Sequence, residues 1–173
     1  MTAPAPPSDP DPDADPDAGA APLAIAPVAI ALGADHAGFA LKDHLAARLR
    51  AAGHAVLDCG TSGPDSVDYP DYAHRVAEAL ESGAAGFGLL VCGSGIGMSI
   101  AANRHAAIRC ALVNSAEAAG LARAHNNANV LALGARLIDA ATAEAALRTF
   151  LATAYEGGRH DRRLAKLAPA SGA

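Results

Sequence analysis

Apolar and polar positions fall into blocks along this chain, and from Pro27 onward the blocks keep one rhythm. PVAIALG (27–33) is a short apolar run ended by Gly, which predicts a buried strand. AGFALKDHLAARLRAAG (37–53) places Leu41, Leu45 and Leu49 at i, i+4 and i+8, with Gly53 able to close it, the spacing of an amphipathic helix. HAVLDCG (54–60) predicts a second strand. GTSGPDSVDYP (60–70) is a loop by its Gly, Pro, Ser and Asp content. DYAHRVAEALESG (71–83) predicts a helix with Asp71 as N-cap and Gly83 as stop. GFGLLVC (86–92) is a third strand, and a glycine-rich loop and a helix to about Arg104 follow it. AAIRCALV (106–113) predicts strand four, SAEAAGLARAH (115–125) a helix capped by Ser115, and ANVLALG (128–134) strand five. Residues 139–155 form a last, Ala-rich helix with Leu147 and Leu151 in register.

Five short strands alternating with helices give an α/β fold, a parallel sheet covered on both faces. Ligands of such sheets bind beyond the carboxyl ends of the strands. Those ends carry Asp35 and His36, then Cys59, then Cys92 with its loop, then Asn114 and Ser115, then Gly134 to Arg136.

Composition narrows the picture. The chain has 173 residues, 51% apolar but only 3% aromatic and without Trp, so Ala, Leu, Val and Ile must build the core. The formal charge of −5 argues against general nucleic-acid binding. Residues 1–27 hold five Asp, no Lys or Arg, and eight of the eleven prolines. They account for all of that charge, and the remainder is neutral. Such a segment buries no core and predicts a disordered tail, with a second flexible tail over 166–173 and one domain over 28–165. The acidic start has neither the basic and apolar regions of a secretory signal nor the arginines of a transit peptide, and no run is apolar enough to span a membrane. Three cysteines without a CxxC pair point to free thiols in a reducing cytoplasm.

Candidate chemistry gathers in a few segments. VCGSGIGMSIAANR (91–104) puts Gly93, Gly95 and Gly97 at alternate positions between a strand and a helix. A bare loop there lets backbone N–H groups converge on an anion. The third glycine comes too early for a dinucleotide fingerprint, and the GK[ST] of a Walker loop is absent. Cys59 and Cys110 read as inert strand thiols. Cys92 borders the loop, where a helix N-terminus favours a thiolate, able to act as base or as nucleophile. Asp35 and His36 pair an acid with an imidazole at the ligand edge. His125 and Asn126 end a helix, where Asn also serves as a C-cap. Arg159, Arg162 and Arg163 crowd a Gly-Gly pair, either as a solvated surface or as a phosphate clamp. His36, Cys92, His125 and His160 lack the spacing of a zinc site.

GADHAGFALK (33–42), DYPDYA (68–73), the glycine segment, HNNANVLALGAR (125–136) and YEGGRH (155–160) together resemble the type B ribose-5-phosphate isomerases. That family also holds the galactose-6-phosphate and allose-6-phosphate isomerases. The resemblance runs from about Val28 to Leu164. It implies a Rossmann-like three-layer α/β/α sandwich with a five-stranded parallel sheet. It also implies an aldose–ketose isomerisation of a phosphorylated sugar without metal or other cofactor. The assembly implied is a homodimer or a dimer of dimers with active sites between subunits.

By position, Cys92 matches the base that moves a proton between C2 and C1. Some members place a Glu six residues later, where this chain has Met98. His125 matches the residue that assists opening of the furanose ring. The amides of Gly93, Gly95, Ile96 and Gly97, with Ser94, match the anion hole. Asp35, His36 and Asn126 match sugar-hydroxyl contacts, and Tyr69 lines the pocket. Arg136, Arg159 and Arg163 match the phosphate clamp. Isomerisation of a six-carbon sugar phosphate, and a phosphosugar- or nucleotide-binding module without catalysis, are the alternative readings.

Overall fold

The computed structural model describes residues 26–167, so the acidic segment and residues 168–173 lie outside it. Five parallel strands form one sheet: β1 (Ala29–Ala34), β2 (Ala55–Asp58), β3 (Phe87–Cys92), β4 (Cys110–Leu112) and β5 (Val130–Gly134), in the order β2-β1-β3-β5-β4. Five helices connect or follow them: α1 (Phe39–Ala51), α2 (Tyr69–Glu81), α3 (Ile96–Ala102), α4 (Ala116–Asn126) and α5 (Ala140–Ala152). This is the expected α/β/α sandwich, and no helix among the described residues is long and apolar enough to cross a membrane.

Side-chain parity along the strands divides the core between the two faces. Ile30, Leu32, Leu89, Val91, Leu131 and Leu133 face α1, α4 and α5, where they bury Leu45, Leu49, Ala119, Leu147 and Phe150. Ala31, Leu90, Cys92, Val130 and Ala132 face α2 and α3, against Ala73, Val76, Ala77 and Met98. Right-handed crossovers explain which helix lies where. The β1-to-β2 and β4-to-β5 connections step one way along the sheet and put α1 and α4 on one face. The β2-to-β3 and β3-to-β4 connections step the other way and put α2 and α3 on the opposite face.

The elements differ from the sequence reading at several points. α2 starts at Tyr69, two residues early, because Pro70 fits the first turn; Asp71 sits inside that turn and Asp68 occupies the N-cap position. β4 is shorter than its apolar run because Ile108 N–H donates to the His105 carbonyl, closing a turn before the strand begins. The last helix is capped by Asp139, whose Oδ1 accepts from Thr142 N–H at 2.8 Å, and it ends at Ala152. A 3-10 turn (Gly158–His160) and a short helix, α6 (Asp161–Leu164), follow it and were not expected. Ser115 caps α4 as expected, accepting from Ala118 N–H.

One cation is buried in this frame. Lys42 is 1% exposed, with Nζ 2.6 Å from Asp58 Oδ2 and 2.9 Å from Asp43 Oδ1. It ties α1 to the end of β2, where the loop toward Tyr69 departs. Burial pulls the Lys42 pKa down, but its hydrogen bonds to Asp58 and Asp43 outweigh that and leave it raised. A cation with a raised pKa stabilises the folded state below the ordinary lysine value of 10.5, and the contribution fades as pH climbs through the raised value. Lys42→Met keeps the side-chain volume and removes the charge. Urea unfolding at pH 7 should show a loss of about 1–3 kcal/mol. Unchanged stability at that pH would show that the pair contributes nothing.

Candidate functional site

The strand order reverses direction at β1 and β3, and the crevice beyond their carboxyl ends is where open α/β sheets take ligands. A cavity of about 650 Å³ lies there. Asp35, His36, Tyr69, Cys92, Gly93, Ser94, Ile96, Gly97 and Arg136 line it, all of them singled out from the sequence. Ala37, Ile100 and Leu137 complete the wall and were not. Asp35 and His36 follow β1, Cys92 ends β3, Arg136 follows β5, and Tyr69 opens α2.

The protein itself sits against each glycine of the loop. Gly93 lies under the Arg136 guanidinium, 3.4 Å from where a Cβ would stand. Gly95 has φ 75° and would drive a Cβ to 2.9 Å from the Leu133 backbone. Gly97 lies under the Tyr69 ring, which a Cβ would meet at 2.5 Å. The three glycines therefore let an arginine, a neighbouring strand and an aromatic ring close on the loop.

The left-handed turn at Gly95 aims its N–H at Cys92 Sγ, 3.1 Å away. That places a donor where charge sits once the thiol gives up its proton. Ile96 N–H donates to Ser94 Oγ at 3.4 Å, so two of the expected anion-hole amides face the protein. The first bond within α3 runs from Ser99 N–H to the Gly95 carbonyl, so Gly97 N–H has no acceptor inside the helix. Cys92 is 4% exposed. Burial pushes the Cys110 thiol up to about 12. The Cys59 thiol is raised too, by burial and then by the Asp58 charge.

Asp35 is buried, and its Oδ1 accepts from Ala37 N–H at 2.9 Å and Gly38 N–H at 3.0 Å, fixing the turn into α1. Oδ2 is not engaged in either bond. His36 Nδ1 accepts from Val67 N–H at 3.3 Å. In the neutral ring the proton then resides on Nε2, which becomes a donor. The same bond holds the end of the 60–68 loop against β1.

His125, Asn126, Arg159 and Arg163 are elsewhere. α4 runs antiparallel to the strands and ends at Asn126, on the amino edge of the sheet. A five-residue strand separates the two edges by about 16 Å. There Asn127, at φ 45°, caps α4, with Arg123 Nη1 donating to its Oδ1 and Arg109 Nε donating to its carbonyl. The His125 ring stacks on His160, with centroids 4.5 Å apart. Arg159 Nε donates to His160 Nε2 at 3.2 Å, and Arg163 lies exposed on α6. Asn126 lines a second cavity of about 500 Å³, with Arg109, Cys110, Leu164 and Leu167. His36 and Cys92 are thus parted from His125 and His160. Glu156, within 4 Å of both those rings, was missed: its only signal was the i, i+4 spacing to His160.

Comparison with known proteins agrees with this architecture. The model of the Ribose/Galactose Isomerase family matches residues 30–167. The Escherichia coli ribose-5-phosphate isomerase B is 44% identical over 135 residues, covering 78% of this chain and 91% of that protein. A crystal structure of a ribose 5-phosphate isomerase from Thermotoga maritima superposes with a TM-score of 0.80 at 50% identity, covering 82% of this chain and 97% of that one. The Mycoplasma genitalium ribose-5-phosphate isomerase B, solved with bound ribulose-5-phosphate, superposes with a TM-score of 0.77 at 38% identity, covering 80% and 93%. With its crevice, its glycine loop and nearly its whole described length accounted for, this chain belongs to the ribose/galactose isomerase family.

Proposed function

We propose that this protein is an aldose–ketose isomerase that interconverts ribose 5-phosphate and ribulose 5-phosphate. The observation that carries the reading is the Cys92 sulfur in the β1–β3 crevice with the Gly95 N–H aimed at it. The ribulose-5-phosphate bound to the Mycoplasma genitalium relative supports the choice of a pentose. As base, the Cys92 thiolate takes the C2 proton of the open-chain aldose. Electrons shift onto O1 to give a C1–C2 enediolate, the hydroxyl proton passes from O2 to O1, and the thiol returns its proton to C1 as the C2 carbonyl forms. Donors already aimed at the developing oxyanion lower that barrier. The loop amide not engaged within α3, Gly97 N–H, and the Ser94 side chain are the groups placed for it. Asp35 Oδ2 and the Nε2–H of His36 are placed to hold sugar hydroxyls.

His125 assists opening of the furanose ring, and Arg159 and Arg163 hold the phosphate with Arg136. Since α4 carries His125 to the far edge of the same sheet, the complete site needs a second copy. A two-fold dimer forms two such sites, each with Cys92 from one chain and His125 from the other. Ile96, Ile100 and Leu137, all half exposed or more at the rim of the crevice, are the apolar surface this dimer covers. The three free thiols suit the cytoplasm. The family description also names galactose, so a six-carbon sugar phosphate is the second reading. The ratio of kcat/KM on ribose 5-phosphate and allose 6-phosphate decides between them.

Three outcomes follow. Cys92→Ala should lower kcat on ribose 5-phosphate by about 10²-fold or more while substrate binding stays within a few-fold. Full activity in that variant would remove the thiol from the mechanism. Gly97→Ala should displace the Tyr69 ring and lower kcat/KM by about tenfold or more, with circular dichroism unchanged. Wild-type kinetics would show that the ring has room to yield. Finally, Cys92→Ala and His125→Ala chains, each inactive alone, should recover about a quarter of wild-type activity when unfolded together and refolded, because half the dimers then carry one intact site. No recovery would place both residues in one chain's site.

A further inference from the structure

At the amino edge of the sheet, three potential ligands converge outside the crevice that holds Cys92. The donor atoms of His125, Glu156 and His160 all lie within 4.8 Å of one another. Glu156 Oε2 is 3.5 Å from His160 Nε2 and 3.8 Å from His125 Nε2. Two imidazoles and a carboxylate are a donor set for zinc and similar dications, whose ligand atoms stand about 3.4 Å apart around a tetrahedral ion. Closing the present separations needs the His125 ring to turn out of its stack and the Glu156 side chain to swing in, and both side chains reach solvent. Glu156 is 54% exposed and His125 34% exposed at the side chain, while His160 is fixed at 4%.

The tautomer fits as well. His160 Nε2 accepts from Arg159 Nε–H, so in the neutral ring that nitrogen carries a lone pair rather than a proton. A dication would replace the exposed Arg159 as its partner. The two rings stack with 11° between planes, so their in-plane lone pairs run side by side, and the His125 ring turns out of the stack when the site fills. The other histidine pair offers no such space: His74 Nδ1 and His105 Nε2 are 2.8 Å apart and bond to each other.

We infer that His125, Glu156 and His160 form a reversible binding site for a borderline dication of the zinc type, and that its occupancy switches the enzyme off. The binding stands on the donor geometry alone. The inhibition rests on the proposed role of His125, whose nitrogen the ion would occupy.

The test uses the full chain, stripped with a chelator and titrated with Co(II). One equivalent per chain should bind with the visible bands of four-coordinate cobalt and without a thiolate-to-metal charge-transfer band. Glu156→Gln, an exposed change that leaves the fold intact, should weaken binding by about tenfold or more, and His160→Gln should do the same. Zn(II) should displace the cobalt, abolish turnover of ribose 5-phosphate in the wild type, and be reversed by chelator. Three results overturn the site: no visible bands at one equivalent, unchanged affinity in both variants, or a charge-transfer band that puts the metal on cysteine. Cobalt bound as described to an enzyme that zinc does not inhibit overturns the switch. Cobalt bound as described to a protein without isomerase activity upholds the site and refutes the proposed reaction instead.

Discussion

The pairing of β1 with β3 is the constraint on which the crevice depends. Because β1 lies between β2 and β3, the chain must step one way to make β2 and the other way to make β3. Right-handed connections then send α1 and α2 to opposite faces and leave the carboxyl ends of β1 and β3 open. Close approach is built into the sequence. A Cβ on Gly38 would clash with the Val91 carbonyl, and one on Gly33 would stand 2.9 Å from Leu90, Tyr72 and Val76. Small residues at those points let the α1 turn and α2 pack onto the strands. Asp35 and Cys92 thereby come to line one cavity although 57 positions separate them in sequence.

The same rule has the opposite consequence for His125. A helix between parallel strands must run back to the edge where the next strand starts. Residues at its end therefore lie far from the carboxyl edge, whatever their chemistry. The local structure there is well fixed, since Arg123 is held against Phe87 and Phe150 and grips Asn127 and Ala128 with one nitrogen. Burial, and then the nearby Arg109 charge, pull the Arg123 pKa down. A half-buried guanidinium used this way holds a turn in place. The turn it holds is the one that presents His125 and Asn126 outward, away from their own Cys92.

Much of this was legible in the residues, and the failures have physical causes. Strands β1, β3 and β5 are buried on both faces, so their continuous apolar runs mark them. β4 is an edge strand, and its apolar run overstates it because His105 to Ile108 close a turn. The start of α2 was signalled by Pro70, a better guide there than Asp71. Of the nine cavity residues, Tyr69, at the start of α2, was indicated only by the family resemblance, and the other eight were legible because strand ends in a parallel sheet converge on one edge. The order β2-β1-β3-β5-β4 was not, since nothing local in a run of Val and Leu says which neighbour it takes. Without that order the crevice between β1 and β3 cannot be placed.

The glycine loop shows how packing within the protein can demand the same bare backbone that a ligand would. Alternate glycines suggested a backbone bared for a ligand. Arg136, the Leu133 backbone and the Tyr69 ring occupy the three places where side chains would stand. These packing contacts fix the loop before any ligand arrives, and they fix the φ of 75° that points Gly95 N–H at sulfur. A donor held in place by folding needs no reorganisation when charge develops, which is the condition for electrostatic catalysis to be strong. The glycines serve the chemistry indirectly: they let the protein close on the loop, and that closure holds the amide at the thiol.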